Sequence, residues 1–504
     1  MWSFLKEWMK EKMKNYTFWF IVGSQDLYGE EVLKIVAEHG KRIADAMTAS
    51  GNLPYPLEYR LTGRNCEEIT EVIKQANRDD SCAGIVTFCH TFSPSKMWIN
   101  GLSLLQKPYC HFATQFNKEI PNDEIDMDFM NLNQAAHGDR EHGYIGARMH
   151  LPVRVIAGHW SDSDTQKELG DWMCAAVASI YSRTLKVMRF GDNMREVAVT
   201  EGDKVEAQIR FGWQVNTCPV GKLAEVVEAI SAEEENDVMN SYQEKYELRT
   251  DNLASVRYQA RLEAAIRKLL KNHGCDAFST NFQDLYGLRQ LPGLAAQDLM
   301  AKGYGFGAEG DWKVAAMLAI IQKMSKSSVH CSTFMEYYTY HLSKEKSYTL
   351  GAHMLEVDPS VAASKPVIEV FPLDIGGKED PARLVFEGKE GNAVISCLVD
   401  MGDHLRLIAQ DIHCIKPLLP MPNLPVARVM WEPLPSLKTG LECWIMAGGS
   451  HHTVLSYDIS ARQLQDFARI TGVEFLHIGE NTTAESFEHE LEVNDLIWKM
   501  RTYA

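Results

Sequence analysis

A chain of 504 residues is too long for one ordinary hydrophobic core, and at roughly 100–200 residues per domain it predicts about three. Its 45% hydrophobic and 24% charged residues form a folded, globular composition without low-complexity tracts or internal repeats. A formal charge of −17 with no basic cluster argues against a nucleic-acid partner, and no run of 18 apolar residues offers a membrane span.

The chain starts MWSFLKEWMKEKMKNYTFWFIVG, where Trp2, Phe4, Leu5, Trp8 and Met9 make an apolar side among lysines and glutamates. It lacks the uninterrupted apolar stretch and small-residue cleavage site of a secretory signal. Residues 1–15 therefore read as a short amphipathic leader packed on the body or on another subunit, the alternative being attachment to a membrane surface. Short β-branched and aromatic runs follow at 17–22, 56–61, 83–89, 108–113, 152–157 and 185–190, with amphipathic stretches such as EEVLKIVAEHGKRIADAMTAS between them. Strand–helix alternation of this kind predicts a parallel, Rossmann-like sheet covered by helices in an N-terminal α/β domain, residues 1–185. Polar segments such as GSQDLYG, HTFSPSKMWIN and TQFN follow the strands at once, placing a hydrophilic edge where open α/β sheets bind ligands.

The α/β pattern continues through a central domain, 186–328, with helices in RYQARLEAAIRKLLKNHG and WKVAAMLAIIQKMS. From 329 to 504 the texture is β-rich and barrel-like: SYTLGAHMLEV, KPVIEVFPL, ARLVFEG, NAVISCLVD, HLRLIAQDI and CWIMAGG read as strands, with helices returning only near the end. Eleven cysteines form no C-x-x-C pair and leave an odd one out, which fits buried thiols in a reducing compartment and predicts a cytoplasmic location.

Within YGFGAEGDWK, residues 304–313, Gly305, Gly307 and Gly310 spell G-x-G-x-x-G. A dinucleotide site needs a strand before the first glycine and a helix after the last, with bare backbone facing the pyrophosphate. Here GLAAQDLMAKGYG reads as a helix running into a loop, and Glu309 and Asp311 put carboxylates where phosphates would lie. The nucleotide reading fails on charge. The glycines are expected instead to permit positive φ and carry Glu309 into a crowded pocket. Glu309 then reads either as a helix-terminal charge or as a metal carboxylate. Glu336, His353 and the His451–His452 pair are further candidate ligands, but their spacing matches no compact metal motif, and each could equally be a satisfied core group. Of the two adjacent histidines, strand alternation predicts that one faces away.

The stretches VGSQDLYG, HTFSPSKMWINGL, QFN, IDMDFMNLNQAAHG, IGARM, FGDNMREVAVTEGDKV, LPGLAAQDLMAKGYGFGAEGDWK, FMEYYTYH, LGAHMLEV, IGGKEDPARL and AGGSHHTV together resemble the L-arabinose isomerase family, over essentially the whole chain except the leader. The resemblance implies an aldose–ketose isomerase converting L-arabinose to L-ribulose, and D-galactose to D-tagatose. It implies one Mn²⁺ per site, held by Glu309, Glu336, His353 and His452, with Glu309 and Glu336 as the acid/base pair and no nucleotide. Sugar contacts fall on Gln25, Leu27, Gln134, His137, Met194, Phe282, Tyr338 and Ile375. It further implies a homo-oligomer, a hexamer, in which Gln25, Leu27, Gln134 and His137 serve a neighbouring subunit. Asp26 stands where many relatives have His, and Asp374 where some have Gly, which bears on fine substrate preference.

The chemistry wants such groups. Moving hydrogen between C1 and C2 through an enediol needs a base, an acid and stabilisation of a developing oxyanion; paired carboxylates supply the first two and a divalent ion the third. Two carboxylates and two imidazoles suit Mn²⁺ better than Mg²⁺ or Zn²⁺. The competing readings are an isomerase of a related sugar such as L-fucose, a non-catalytic sugar-binding protein of the same fold, and a glycosidase, which would need an extended cleft.

Overall fold

A computed structural model describes residues 15–327, 329–373, 377–417 and 420–502, so leader residues 1–14 and Ile375 lie outside the described residues. The chain divides into two compact units, residues 1–180 and 181–504.

In the first unit, strands β1 (Thr17–Gly23), β2 (Leu57–Gly63), β3 (Cys82–Cys89), β4 (Tyr109–Ala113) and β5 (Arg154–Ala157) form one parallel sheet in the order β2-β1-β3-β4-β5. Phe18 to Val22 and all of β3 are buried, as expected for strands covered on both faces. The helix Gly29–Ala49 buries Leu33, Val36, Gly40, Ile43, Ala44 and Met47, one stripe at helical spacing. The helix Cys66–Arg78 starts where the Asn65 side chain accepts the Glu68 N–H, and its Ile69, Val72 and Ile73 pack into a core with Trp19, Ile21, Ile85 and Trp98.

The second unit contains a second parallel sheet and a barrel. Strands β6 (Lys186–Phe190), β7 (Gln214–Cys218), β8 (Glu247–Leu248), β9 (Ala277–Thr280) and β10 (Gly305–Ala308) come first; four of them pair in parallel in the order β10-β9-β6-β7. Next come β11 (Ser332–Leu342), β12 (Ser347–Ala352), β13 (Val367–Val370), β14 (Ala382–Val385), β15 (Gly391–Asp400), β16 (Leu405–Ile415), β17 (Arg428–Pro433), β18 (His452–Ser456) and β19 (Glu474–Ile478). Six of these close on themselves, β15-β18-β11-β12-β17-β16 and back to β15, every pairing antiparallel; β19 adds to β16 in parallel. Closure removes the free edges that an open antiparallel sheet would expose. The expected α/β architecture with a C-terminal barrel is thus the one observed.

KPVIEVFPL and ARLVFEG form strands as expected; β13 pairs with β14 on one side and β8 on the other in a small separate sheet, outside the barrel. Two expectations need correction. CWIMAGG is not a strand. It ends the helix Leu437–Met446, which starts where the Ser436 hydroxyl accepts the Thr439 N–H. A four-residue apolar run fits either element, and the upstream cap decides.

Last, the expected loop before Glu309 is the strand β10. Gly305 and Gly307 do not provide positive φ there; a Cβ at Gly305 would lie 2.1 Å from the Ala315 carbonyl oxygen, and one at Gly307 2.2 Å from that of Asp311. These glycines let the helix Trp312–Met324 lie directly on the strand. Positive φ falls instead on Glu309 (59°) and Gly310 (82°). Because the obstructing atoms are backbone, Gly307→Ala is expected to lower unfolding free energy by about 1–3 kcal/mol. An unchanged denaturation midpoint would contradict this packing role.

Candidate active site

Glu309 leaves the carboxyl end of β10, and the barrel rim supplies the rest of the cluster. In the barrel register Glu336 of β11 stands between Ala352 of β12 and His452 of β18, and His353 follows Ala352. Residues distant in sequence are therefore lateral neighbours on three adjacent strands. His452 Nε2 is 3.7 Å from Glu309 Oε2, and His353 Nε2 is 3.9 Å from Glu336 Oε2. Phe334, fully buried, packs its ring 5.2 Å from each of the His353 and His452 rings and fixes their planes.

Two overlapping triads result, Glu309–His353–His452 and Glu336–His451–His452, with the ligand atoms of each within 4.8 Å of one another. Both ring nitrogens of His452 are buried without a hydrogen-bond partner. Orphaned imidazole nitrogens between carboxylates are costly unless something else engages them, and a cation fits that donor set. The structure thus brings together Glu309, Glu336, His353 and His452.

It also brings in groups that sequence reasoning missed. His353 Nδ1 hydrogen-bonds Glu356 Oε2 at 2.5 Å, which leaves Nε2 to face the cluster. Carboxylates in this position orient metal-binding imidazoles. The i, i+3 spacing within HMLE was the available signal. Asp311 Oδ2 lies 3.4 Å from His452 Nδ1, while its other oxygen accepts the Val314 N–H at the start of the following helix. That helix end is therefore occupied by its own carboxylate, a second reason the glycine pattern holds no phosphate. His451 does not face away: β18 begins only at His452, so strand alternation does not apply to the pair, and His451 Nε2 sits 4.0 Å from Glu309 Oε2.

Charge follows geometry. Burial raises the Glu309 carboxyl, but the imidazoles of His451, His452 and His353 outweigh it and hold it below its ordinary range. Burial lowers His353, yet Glu356, Glu336 and Glu309 together push it up to about 9. The cluster polarises its own members.

The segment carrying His353 and Glu356 is tied down by Asp358, whose N–H donates to Thr333 Oγ1 on β11 and whose carboxylate accepts the Ser360 N–H. Burial pushes Asp358 up to about 6, against the pull of His330. A raised carboxyl stabilises the fold fully below its unfolded value near pH 4, and that contribution is lost as pH rises through about 6. Asp358→Asn is expected to raise stability at pH 8, by no more than about 3 kcal/mol, and to leave it unchanged at pH 4. Equal effects at both pH values would contradict the assignment.

Of the remaining expected sugar contacts, Phe282 lines a cleft with Glu309 and His353, Tyr338 lines a second cleft beside His353, and the Met194 N–H donates to the Glu309 carbonyl. In the first unit, Gln25 donates to the Phe92 carbonyl, Phe92 packs its ring 4.5 Å from that of His137, and Tyr28 donates to Gln134. These residues form one polar patch at the carboxyl edge of the first sheet, beside Leu27, which is 82% exposed. A third triad lies in this first unit, Cys89–His111–Asp139, and is satisfied internally: the two His111 nitrogens pair with Thr87 and Asp139, and burial raises the Cys89 thiol. None of the eleven cysteines is joined in a disulfide, and among the described residues no helix is long and apolar enough to cross a membrane.

The second unit thus joins a parallel α/β sheet and a closed barrel around a polar centre in which acids are interleaved with imidazoles, a combination of groups able to take up and give up protons. Residues 12–184, 186–327 and 331–474 match the L-arabinose isomerase N-terminal, central and C-terminal domains, respectively. The chain is 51% identical to an L-arabinose isomerase of Geobacillus stearothermophilus over 97% of its own length and 99% of that protein's. It is 50% identical to those of Clostridium beijerinckii (97% and 99% covered) and Thermotoga petrophila (96% and 98%). The chain belongs to the L-arabinose isomerase family and is an isomerase.

Proposed function

We propose that the protein interconverts L-arabinose and L-ribulose, and D-galactose and D-tagatose, through an enediol. The carrying observation is the convergence of Glu309, just past β10, and His353, just past β12, with Glu336 of β11 and His452 of β18. Glu309 and Glu336 between them take a proton from one sugar carbon and deliver it to its neighbour. Glu309, Glu336, His353 and His452 would hold one divalent ion, Mn²⁺ by the mixed donor set, which when bound polarises the sugar's carbonyl and hydroxyl oxygens. Glu356 and Asp311 keep the two imidazoles turned toward the cluster. Phe282, Tyr338, Met194 and Ile375 contact the sugar.

Gln25, Leu27, Gln134 and His137 complete the site of a neighbouring subunit in a homo-oligomer, a hexamer. Their grouping in a compact unit separate from all four ligands supports this reading. D-galactose keeps the stereochemistry of L-arabinose and adds one hydroxymethyl group, so the same proton transfer serves both. No nucleotide takes part, and the unbridged cysteines support a cytoplasmic setting. The test is product analysis across a panel of aldoses: L-ribulose from L-arabinose is expected, whereas turnover confined to L-fucose, or binding without product, would replace this reading.

A further inference from the structure

The helix Ala484–Thr502 is apolar on two opposite sides. Phe487, Leu491 and Trp498, spaced at i, i+4 and i+11, are buried against the body of the protein. Val493, Leu496, Ile497 and Met500 form a second stripe on the opposite side, 39%, 64%, 41% and 72% exposed. Helical spacing of 3–4 residues makes these four one continuous seam rather than scattered apolar residues. The helix Leu437–Met446 packs beside it and carries a further exposed apolar residue, Ile445, 67% exposed. Clustered exposure of this kind marks an interaction surface.

We propose that this seam is an interface with a second copy of the chain, formed by antiparallel pairing of the two helices about a two-fold axis near residues 496 and 497. Charge selects that arrangement. The first half of the helix carries Glu485, Glu488 and Glu490, and parallel pairing would set these acids against their own copies. Antiparallel pairing centred at 496–497 overlaps only about residues 491–502, so the acidic half projects beyond the contact. Within the overlap Lys499 lies level with the partner's Asn494, two residues along the helix from the partner's Glu492 on the same flank and within reach of it, and the converse pair forms by symmetry. The apolar residues match in the same register: Val493 meets the partner's Met500 and Leu496 the partner's Ile497. Asp495 does not oppose this, because it is already held by Arg406. The inference rests on the multi-subunit reading above and adds to it a surface unconnected with the sugar site.

The test measures particle mass by sedimentation with the full chain. Leu496→Glu is expected to reduce the mass by about twofold, as loss of one two-fold contact requires. Leu496→Ala, with a milder loss of assembly at low concentration, covers the case in which the charged variant misfolds. Glu492→Lys alone should weaken assembly, and Glu492→Lys with Lys499→Glu should restore it. Differently tagged Leu496→Cys and Ile497→Cys proteins should form a mixed disulfide after reassembly. A wild-type monomer would overturn both this inference and the shared-site reading. A multimer indifferent to all these variants would overturn this inference alone. So would a chain lacking residues 1–14 that reproduces the Leu496→Glu defect, since the leader would then be the seam's occupant.

Discussion

Glu309→Gln and Glu336→Gln are each expected to lower kcat by at least ~10²-fold at saturating metal, because positioned acid–base groups contribute about that factor. Glutamine keeps the volume of the side chain and one oxygen, so the packing around β10 and β11 should persist while the proton carrier is lost. Glu309 is the more demanding position. It holds a φ of 59°, costly for a residue other than glycine, and such strain persists where the surrounding structure over-determines it. Near-normal turnover in either variant would remove that residue from proton transfer.

The second large effect separates two adjacent histidines. His452→Ala is expected to weaken metal binding by more than about 100-fold, beyond the usual cost of disturbing residues that merely support a ligand. His451→Ala should cost far less. His452 is fully buried, its Nε2 makes no hydrogen bond while its Nδ1 lies 3.4 Å from Asp311 Oδ2, and it belongs to both triads. The His451 side chain is 37% exposed and belongs to one triad only. Titration of each metal-free variant with Mn²⁺ measures the difference, and the reverse ranking would assign the ligand to His451.

The strands of the first parallel sheet, and β6 of the second, were legible because buried parallel strands are continuous β-branched and aromatic runs: TFWFIV and AGIVTFC differ by one residue or so from β1 and β3, whereas the short β7 and β9 were not read and β10, half glycine, was taken for a loop. CWIMAGG misled for the same reason, since its apolar run carries no period and the deciding signal, Ser436, stands seven residues upstream. Barrel closure depends on which strands pair, β15 with β16 and also with β18, and such register is a long-range property that local pattern does not encode. The site divides along the same line. Glu309 stood out through its glycines, but for the wrong reason: Gly305 and Gly307 serve the contact between helix and strand, and the strain sits on Glu309 itself. Glu336, His353 and His452 had no motif because their proximity comes from lateral pairing across three strands. His451 was misjudged because alternation was applied one residue before the strand begins.

The most direct test of metal-assisted isomerisation is turnover of L-arabinose by the chelator-stripped protein, before and after Mn²⁺ is restored. Loss of L-ribulose formation on stripping, with recovery on adding Mn²⁺ to a protein that stayed folded throughout, is the expected result. Full turnover by protein shown to be free of divalent metal would contradict the assignment of Glu309, Glu336, His353 and His452 as one ion's ligands.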